Sequence, residues 1–291
     1  MYKKQIVVVA IVLAIMSYLF YQHPKGLVKH NDTQGHTNKA AAQTRPAVNV
    51  TVAMVSAAAK VAIGPALSVQ IGTTEGQLKN ASGEAEKLSL QKKLAKQWDD
   101  VNQAGPAAFY YQAIALSENT FADWINAGNH FNDAFRFVRD SVSQPAFVSH
   151  AIECFKNASK MQPESLDAKT GLGVAYVNQT SLGITDPDGG SPMQGIMLLL
   201  DVVKQDPGNR AANLGLGLFA MKSGQYDKAV MRFKTLIAQK PEFEPYFYLA
   251  ESYSQLGMKK EAIAAYQKSR ELMPDAAVDQ QIDKYIKELK N

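Results

Sequence analysis

The chain has little cysteine and no strong excess of either charge, and both shortages exclude classes of protein. Cys154 is the single cysteine among 291 residues, so neither an intramolecular disulfide nor a thiolate metal cage can form. Lysine and arginine (31) nearly balance aspartate and glutamate (27), which leaves a formal net charge of +4. A nucleic-acid-binding protein needs a clustered basic face. We therefore predict no nucleic-acid partner, and we interpret Cys154 as a small buried hydrophobic residue.

The motifs of catalysis and of cofactor binding are also missing. There is no nucleophile elbow, phosphate-binding loop or dinucleotide fingerprint. His23, His30 and His36 are separated by seven and six residues, a spacing that matches no helical or finger-type metal site. Asp186 and Asp188 stand before a glycine, but no glutamate follows at the place where a calcium loop would end. We predict no metal, no cofactor and no enzymatic activity.

What the chain does contain is a repeat, seen most clearly between Arg210 and Pro274 with a period of 33 residues. Each copy has an apolar run at helical spacing, a turn glycine, a second helical run and a closing proline. A period of this size predicts a stacked array in which each unit buries its apolar face against its neighbours. The aligned pairs are Leu216 and Leu249, Gly224 and Gly257, Ala229 and Ala262, Phe233 and Tyr266, and Pro241 and Pro274.

This pattern resembles the tetratricopeptide repeat, since two consecutive copies hold the turn glycine, the small residue, the aromatic and the final proline in register. Earlier units match in part. Trp124 and Gly128 take first-helix positions of one unit, and Leu172 and Tyr176 take those of the next. Residues inserted between the two helices of these units, around 134–145 and 181–192, predict loops where the array bulges.

The N-terminus predicts a membrane anchor. Lys3 and Lys4 precede an uncharged apolar run, Ile6 to Tyr21, that as a helix would rise about 24 Å. No small-x-small cleavage site follows, which favours an uncleaved signal anchor over a cleaved signal peptide. The two lysines favour a cytoplasmic N-terminus. We therefore expect one pass through the inner (cytoplasmic) membrane and a soluble domain on the periplasmic side.

These observations predict an all-α protein in which a solenoid of tetratricopeptide-type helical hairpins follows an N-terminal transmembrane helix and a flexible tether. The alternation of Val48, Val50 and Val52 within the tether suggests a short strand, and Met54 to Ile63 suggests a short helix. The predicted segments are a signal anchor at 1–22, a tether of low order at 23–83, a degenerate helical pair at 84–120, repeats with insertions at 121–165 and 166–209, regular repeats at 210–242 and 243–275, and a capping helix at 276–291.

The resemblance also implies a function, because ligand peptides of tetratricopeptide proteins usually lie along the concave groove formed by the first helices. Asparagine amides there would pair with the backbone of an extended peptide, and the leucines would form an apolar pocket. The groove positions that the resemblance implies are Asn126, Asn129, Asp133, Thr170, Val174, Val177, Asn178, Leu214, Leu218, Met221, Lys222, Phe247, Tyr248, Glu251 and Gln255.

The leading hypothesis is therefore a membrane-anchored scaffold that binds a protein or peptide partner in this groove. Three alternatives stay open. The chain could be an accessory subunit of an envelope assembly machine, resembling the tetratricopeptide subunits of cytochrome c maturation. It could be an enzyme within a helical solenoid, although no residue set supports one. The apolar groove residues could instead pack against the tether or a capping helix, or mediate self-association.

Overall fold

The computed structural model describes residues 49–138, 140–184 and 192–290, and every regular element within those ranges is an α-helix. The prediction of an all-α solenoid is confirmed. None of the described helices is long and apolar enough to cross a membrane. The thirteen described helices are α1 (Val52–Ala62), α2 (Pro65–Asn80), α3 (Glu84–Asp100), α4 (Ala104–Glu118), α5 (Phe121–Phe137), α6 (Gln144–Met161), α7 (Leu166–Ser181), α8 (Pro192–Gln205), α9 (Arg210–Lys222), α10 (Tyr226–Gln239), α11 (Phe243–Gln255), α12 (Lys259–Leu272) and α13 (Ala276–Lys290).

Local sequence explains where several inner helices begin. Thr120, Ser165 and Asn209 stand directly before α5, α7 and α9, and each side-chain oxygen accepts a hydrogen bond from a backbone N–H of the first turn. Such caps satisfy amide groups that have no partner within the helix. Gly224 and Gly257, 33 residues apart, have φ of +72° and +73° in the turns after α9 and α11. Glycine adopts this conformation without a steric penalty.

The helices pair into hairpins that stack in chain order. In four of them α5, α7, α9 and α11 are the first helices, and α6, α8, α10 and α12 are the second ones. Each first helix also contacts the first helix of the next hairpin, so these four helices form an inner layer. At the C-terminal end α13 packs against α12 and buries Ile282 and Ile286. This is the helix predicted to close the array.

The inner layer is closely spaced because aromatic rings of the second helices lie over glycines of the first helices. The fully buried ring of Phe155 on α6 lies against Gly128 of α5 and Gly171 of α7. A Cβ added at Gly171 would be 2.0 Å from this ring, and one at Gly128 would be 2.7 Å from it. Phe233 on α10 lies in the same way over Gly217 of α9. The glycines therefore set the distance between neighbouring helices.

The prediction of a tether of low order over 23–83 was wrong for the part that the structure describes. Residues 52–62 form α1, which agrees with the short helix predicted at Met54 to Ile63, and residues 65–80 form α2, which was not predicted. Val50 and Ile71 are 4% and 2% exposed. The predicted strand is absent there, since Val52 begins α1. The pattern was missed because α2 buries only Ile71 and Thr74, which leaves little amphipathic periodicity to detect. The anchor prediction for 1–22 and the tether prediction for 23–48 lie outside the described residues.

The loop predicted at 134–145 is shorter than predicted. Helix α5 continues to Phe137 and α6 begins at Gln144, so most of the extra residues lengthen the two helices. Asp140 supports the short connection, because its carboxylate accepts hydrogen bonds from the backbone N–H groups of Val142 and Ser143. Most of the second predicted loop, 181–192, lies outside the described residues.

The contact between Gly171 and Phe155 leads to a stability prediction. The substitution Gly171→Ala places a methyl group inside the Phe155 ring, and we expect it to lower the free energy of unfolding by about 2 to 3 kcal/mol, a cost typical of overpacking. Gly76→Ala on α2 is the matched control, since a Cβ there meets no atom within 4 Å. The control should leave stability unchanged or raise it by up to about 1 kcal/mol. Urea unfolding followed by circular dichroism measures both, and equal effects would contradict the proposed spacing role.

Candidate functional site

A groove with a volume of about 810 Å³ follows the concave side of the inner layer, between α5, α7, α9 and α11. Its apolar floor includes Val174, Leu214 and Leu218, and its rim carries amide and charged side chains. The structure brings together ten of the fifteen positions that the sequence predicted. They are Asn129, Asp133, Thr170, Val174, Val177, Asn178, Leu214, Leu218, Lys222 and Tyr248.

Five predicted positions do not line this groove. The Asn126 carbonyl oxygen lies 2.8 Å from Nδ1 of His130, and Met221 packs into the core formed by the last two hairpins and α13. Phe247 lies against aromatic rings of α12 and α13, with centroid distances of 5.7 and 6.1 Å. Gln255 is exposed at the end of α11. Glu251 lies close to one helical turn beyond Tyr248, half buried and just outside the groove lining.

The groove also contains residues that the sequence analysis missed, and the most important are on α5 and α11. Asn132 and Arg136 continue the face of α5 that carries Asn129 and Asp133, at helical spacing. Arg136 was missed because the first helix was expected to end near residue 134. The other lining residues that were not predicted are Ile125, Phe135, Phe137, Gln144, Asp167, Gly171, Ser181, Asn209, Ala211, Gly215, Phe219 and Glu244.

Asparagines of the groove connect the inner helices. The Asn132 amide nitrogen donates to the carbonyl oxygen of Gly171 at 3.2 Å, and the Asn178 amide donates to Oδ1 of Asn132 at 3.4 Å. Asn132 and Asn178 therefore tie α5 to α7. Asn129 is exposed on the same face of α5, so its amide faces solvent and the groove. Asn129 is the asparagine best placed to bond the backbone of a ligand.

Arg136 and Glu244 form an ion pair across the groove between α5 and α11. The Arg136 Nη2 donates to both carboxylate oxygens of Glu244, at 2.8 and 2.6 Å, although 108 residues separate the two side chains. Burial opposes the charge on Arg136, but the Glu244 carboxylate holds the pKa of this guanidinium above its usual value. Burial and the charge of Glu244 also raise the pKa of Tyr248 to about 12. The pair joins the first and last helices of the inner layer.

Three other charged groups lie on or beside the concave surface, and they differ in the partners that surround them. The Lys222 ammonium donates to the carbonyl oxygens of Thr180 and Ser181, at 3.4 and 2.8 Å, and so meets the negative end of α7. Burial raises the pKa of Asp133, although Arg136 opposes the shift from 3.8 Å. Burial alone raises the pKa of Glu251.

The groove and the rest of the described chain bring together no group of three or more His, Cys, Asp or Glu side chains that could hold a metal ion. His23, His30 and His36, along with Asp186 and Asp188, lie outside the described residues. Cys154 is fully buried, as predicted, and burial raises the pKa of its thiol to about 12.

Comparison with known proteins agrees with this architecture. Residues 243–276 match the tetratricopeptide repeat family. A thermophilic tetratricopeptide protein of Thermus thermophilus superposes with a TM-score of 0.54 and 21% identity, over 68% of this chain and 97% of its own. A tetratricopeptide repeat protein of Parabacteroides merdae gives 0.51 and 16%, over 77% and 82%. A search of curated protein sequences returned no match. The chain thus contains a tetratricopeptide repeat and has the fold of a tetratricopeptide solenoid.

The ion pair across the groove can be tested with a double-mutant cycle. We expect Arg136→Gln and Glu244→Gln to show a coupling energy of about 1 kcal/mol in low salt, because one guanidinium nitrogen contacts both carboxylate oxygens and the two side chains are only 31% and 36% exposed. High salt should reduce this coupling. The exposed pair Lys268 and Glu271 on α12 is the control, and its coupling should be clearly smaller because solvent screens it. Urea unfolding supplies the energies. A coupling no larger than that of the control pair would show that the ion pair does not stabilise the contact between α5 and α11.

Proposed function

We propose that this protein is an interaction scaffold that binds an extended segment of a partner protein in the concave groove. The observation that carries the proposal is the groove itself, which is open along the inner layer and combines an apolar floor with a polar rim. Binding sites commonly combine apolar walls with a few polar groups that fix orientation. The groove crosses four helices, and at about 9 Å between helix axes it is long enough for about eight residues of extended chain.

The arrangement of the groove supports a peptide ligand over a small compact one. The apolar floor comes from two neighbouring helices of the inner layer, with Val174 on α7 and Leu214 and Leu218 on α9. It therefore offers separate contacts to successive side chains of a peptide. Asn129 at the rim supplies an amide donor and acceptor for the peptide backbone. Nothing in this arrangement calls for a chemical step, and we assign the groove a binding role alone.

We further propose that residues 1–22 anchor the scaffold as a single pass in the inner membrane, with the solenoid on the periplasmic side. The support is the apolar run between Ile6 and Tyr21 after Lys3 and Lys4. An anchor of this kind would keep the scaffold attached to the membrane.

The groove proposal is tested by selecting peptides from a displayed random library on the purified solenoid and measuring their affinity by fluorescence anisotropy. We expect the selected peptides to lose about tenfold or more in affinity for Asn129→Trp and Leu218→Arg, since both substitutions fill the groove. Met231→Arg is the control, because Met231 is 68% exposed on α10 and does not line the groove.

Circular dichroism and thermal melting establish that each variant is folded. Asn129 is exposed, so its variant keeps the test valid if Leu218→Arg fails to fold. Selected peptides that bind all three variants equally well would show that the groove is not the binding surface.

The anchor proposal predicts that the full chain, expressed in a bacterium, stays with the membrane fraction after an alkaline carbonate wash. A chain lacking residues 2–22 should appear in the soluble fraction, because the apolar run that holds the protein in the bilayer is gone. Protease added to spheroplasts should digest the full-length protein. N-terminal sequencing is the control: a mature chain that begins after the apolar run would identify a cleaved signal peptide and contradict the anchor.

A further inference from the structure

The concave surface carries a net negative charge, whereas the whole chain carries a net positive one. The protein has a formal net charge of +4. Among the described residues of the groove lining and the adjacent turn of α11, however, four carboxylates accompany two cations. The carboxylates are those of Asp133, Asp167, Glu244 and Glu251, and the cations are Arg136 and Lys222.

Both cations are already engaged within the protein. Arg136 binds both carboxylate oxygens of Glu244, and Lys222 binds the carbonyl oxygens of Thr180 and Ser181. The remaining carboxylates have little compensation. Asp133 reaches Arg136 only at 3.8 Å. Asp167 and Glu251 form no ion pair with any described residue. Asp167 is exposed in the first turn of α7, where the helix dipole favours its charge, whereas burial raises the pKa of Glu251. A cation supplied from outside would compensate these groups.

A second observation in the same groove points to a ligand. Thr170 lies on α7 between Asp167 and Val174, lines the groove and is 6% exposed. Its hydroxyl oxygen is buried and has no hydrogen-bond partner among the described residues. A buried hydroxyl without a partner is uncommon and unfavourable. A rotation of about 120° about χ1 moves the hydroxyl into another staggered position, and a rotamer that faces the groove would let it bond a group that enters there.

We propose that the groove is selective for a basic partner segment, an extended stretch in which lysine or arginine side chains alternate with apolar ones. This inference rests on the proposed function. The apolar side chains lie over Val174, Leu214 and Leu218, and the cationic ones reach the carboxylates of Asp133 and Glu251 at the α5 and α11 edges. The Thr170 hydroxyl bonds the backbone of the segment. The partner is therefore a protein with an exposed basic and apolar stretch.

The test compares three fluorescein-labelled peptides of about eight residues, the length that the groove accommodates in extended conformation. The peptides share the same leucine and valine positions and carry lysine, glutamine or glutamate at the positions between them. We expect the lysine peptide to bind about tenfold more tightly than the glutamate peptide in low salt, and the difference to shrink in high salt.

Two variants then test whether Asp133 and Glu251 are the carboxylates that contact the lysine side chains. Glu251→Gln and Asp133→Asn keep the shape of the side chain and remove its charge, and each should weaken the lysine peptide severalfold while changing the glutamine peptide little. Glu261→Gln is the matched control, because Glu261 is exposed on α12 and outside the groove lining. It should leave all three affinities unchanged.

The outcomes separate this inference from the proposed function. The glutamine or glutamate peptide could bind as tightly as the lysine peptide and lose affinity for the Asn129→Trp variant. In that case the groove binds peptides but the basic preference is wrong. If none of the three binds while library-selected peptides do, the basic preference is again wrong and the groove function stands. If neither set binds, both proposals fail.

Discussion

The close approach of neighbouring inner helices is the constraint on which the rest of this structure depends. No hairpin can bury its own apolar face, so each one relies on the next. The Phe155 ring fills the space between Gly128 and Gly171, and a side chain at either glycine would force the helices apart. Because α5, α7, α9 and α11 are held in contact in this way, their outward-facing residues form one continuous concave surface.

The curvature of that surface gives the groove its shape and its electrostatics. Successive hairpins turn far enough for the end of α5 to face the beginning of α11, where Arg136 binds Glu244. Lys222 makes a smaller bridge from α9 to the last carbonyl groups of α7. Each bridge uses one of the cations of the concave surface. The surface that a ligand meets is thus more acidic than the composition of the chain would suggest, with an apolar floor beneath it.

Much of this architecture could be predicted from local patterns. The regular hairpins were visible in the 33-residue period, and the resemblance to tetratricopeptide repeats then implied Asn129, Leu214 and Leu218 as groove positions. The errors have local causes as well. Helix α2 was missed because it packs through only two buried residues, and Arg136 was missed because α5 is longer than a first helix of regular length. Phe247 was placed in the groove, but its ring belongs to the aromatic cluster closed by α13.

The sequence by itself determined the helical hairpins, the glycine turns between them and many of the residues that face inward, because periodicity, caps and turn residues act over one or two helical turns. The tertiary structure decided which of those residues meet. Arg136 and Glu244 are 108 positions apart and occupy no matching places in a repeat. Their contact depends on the rotation that accumulates from one hairpin to the next, which is set by how side chains pack between helices and is not encoded in any single repeat.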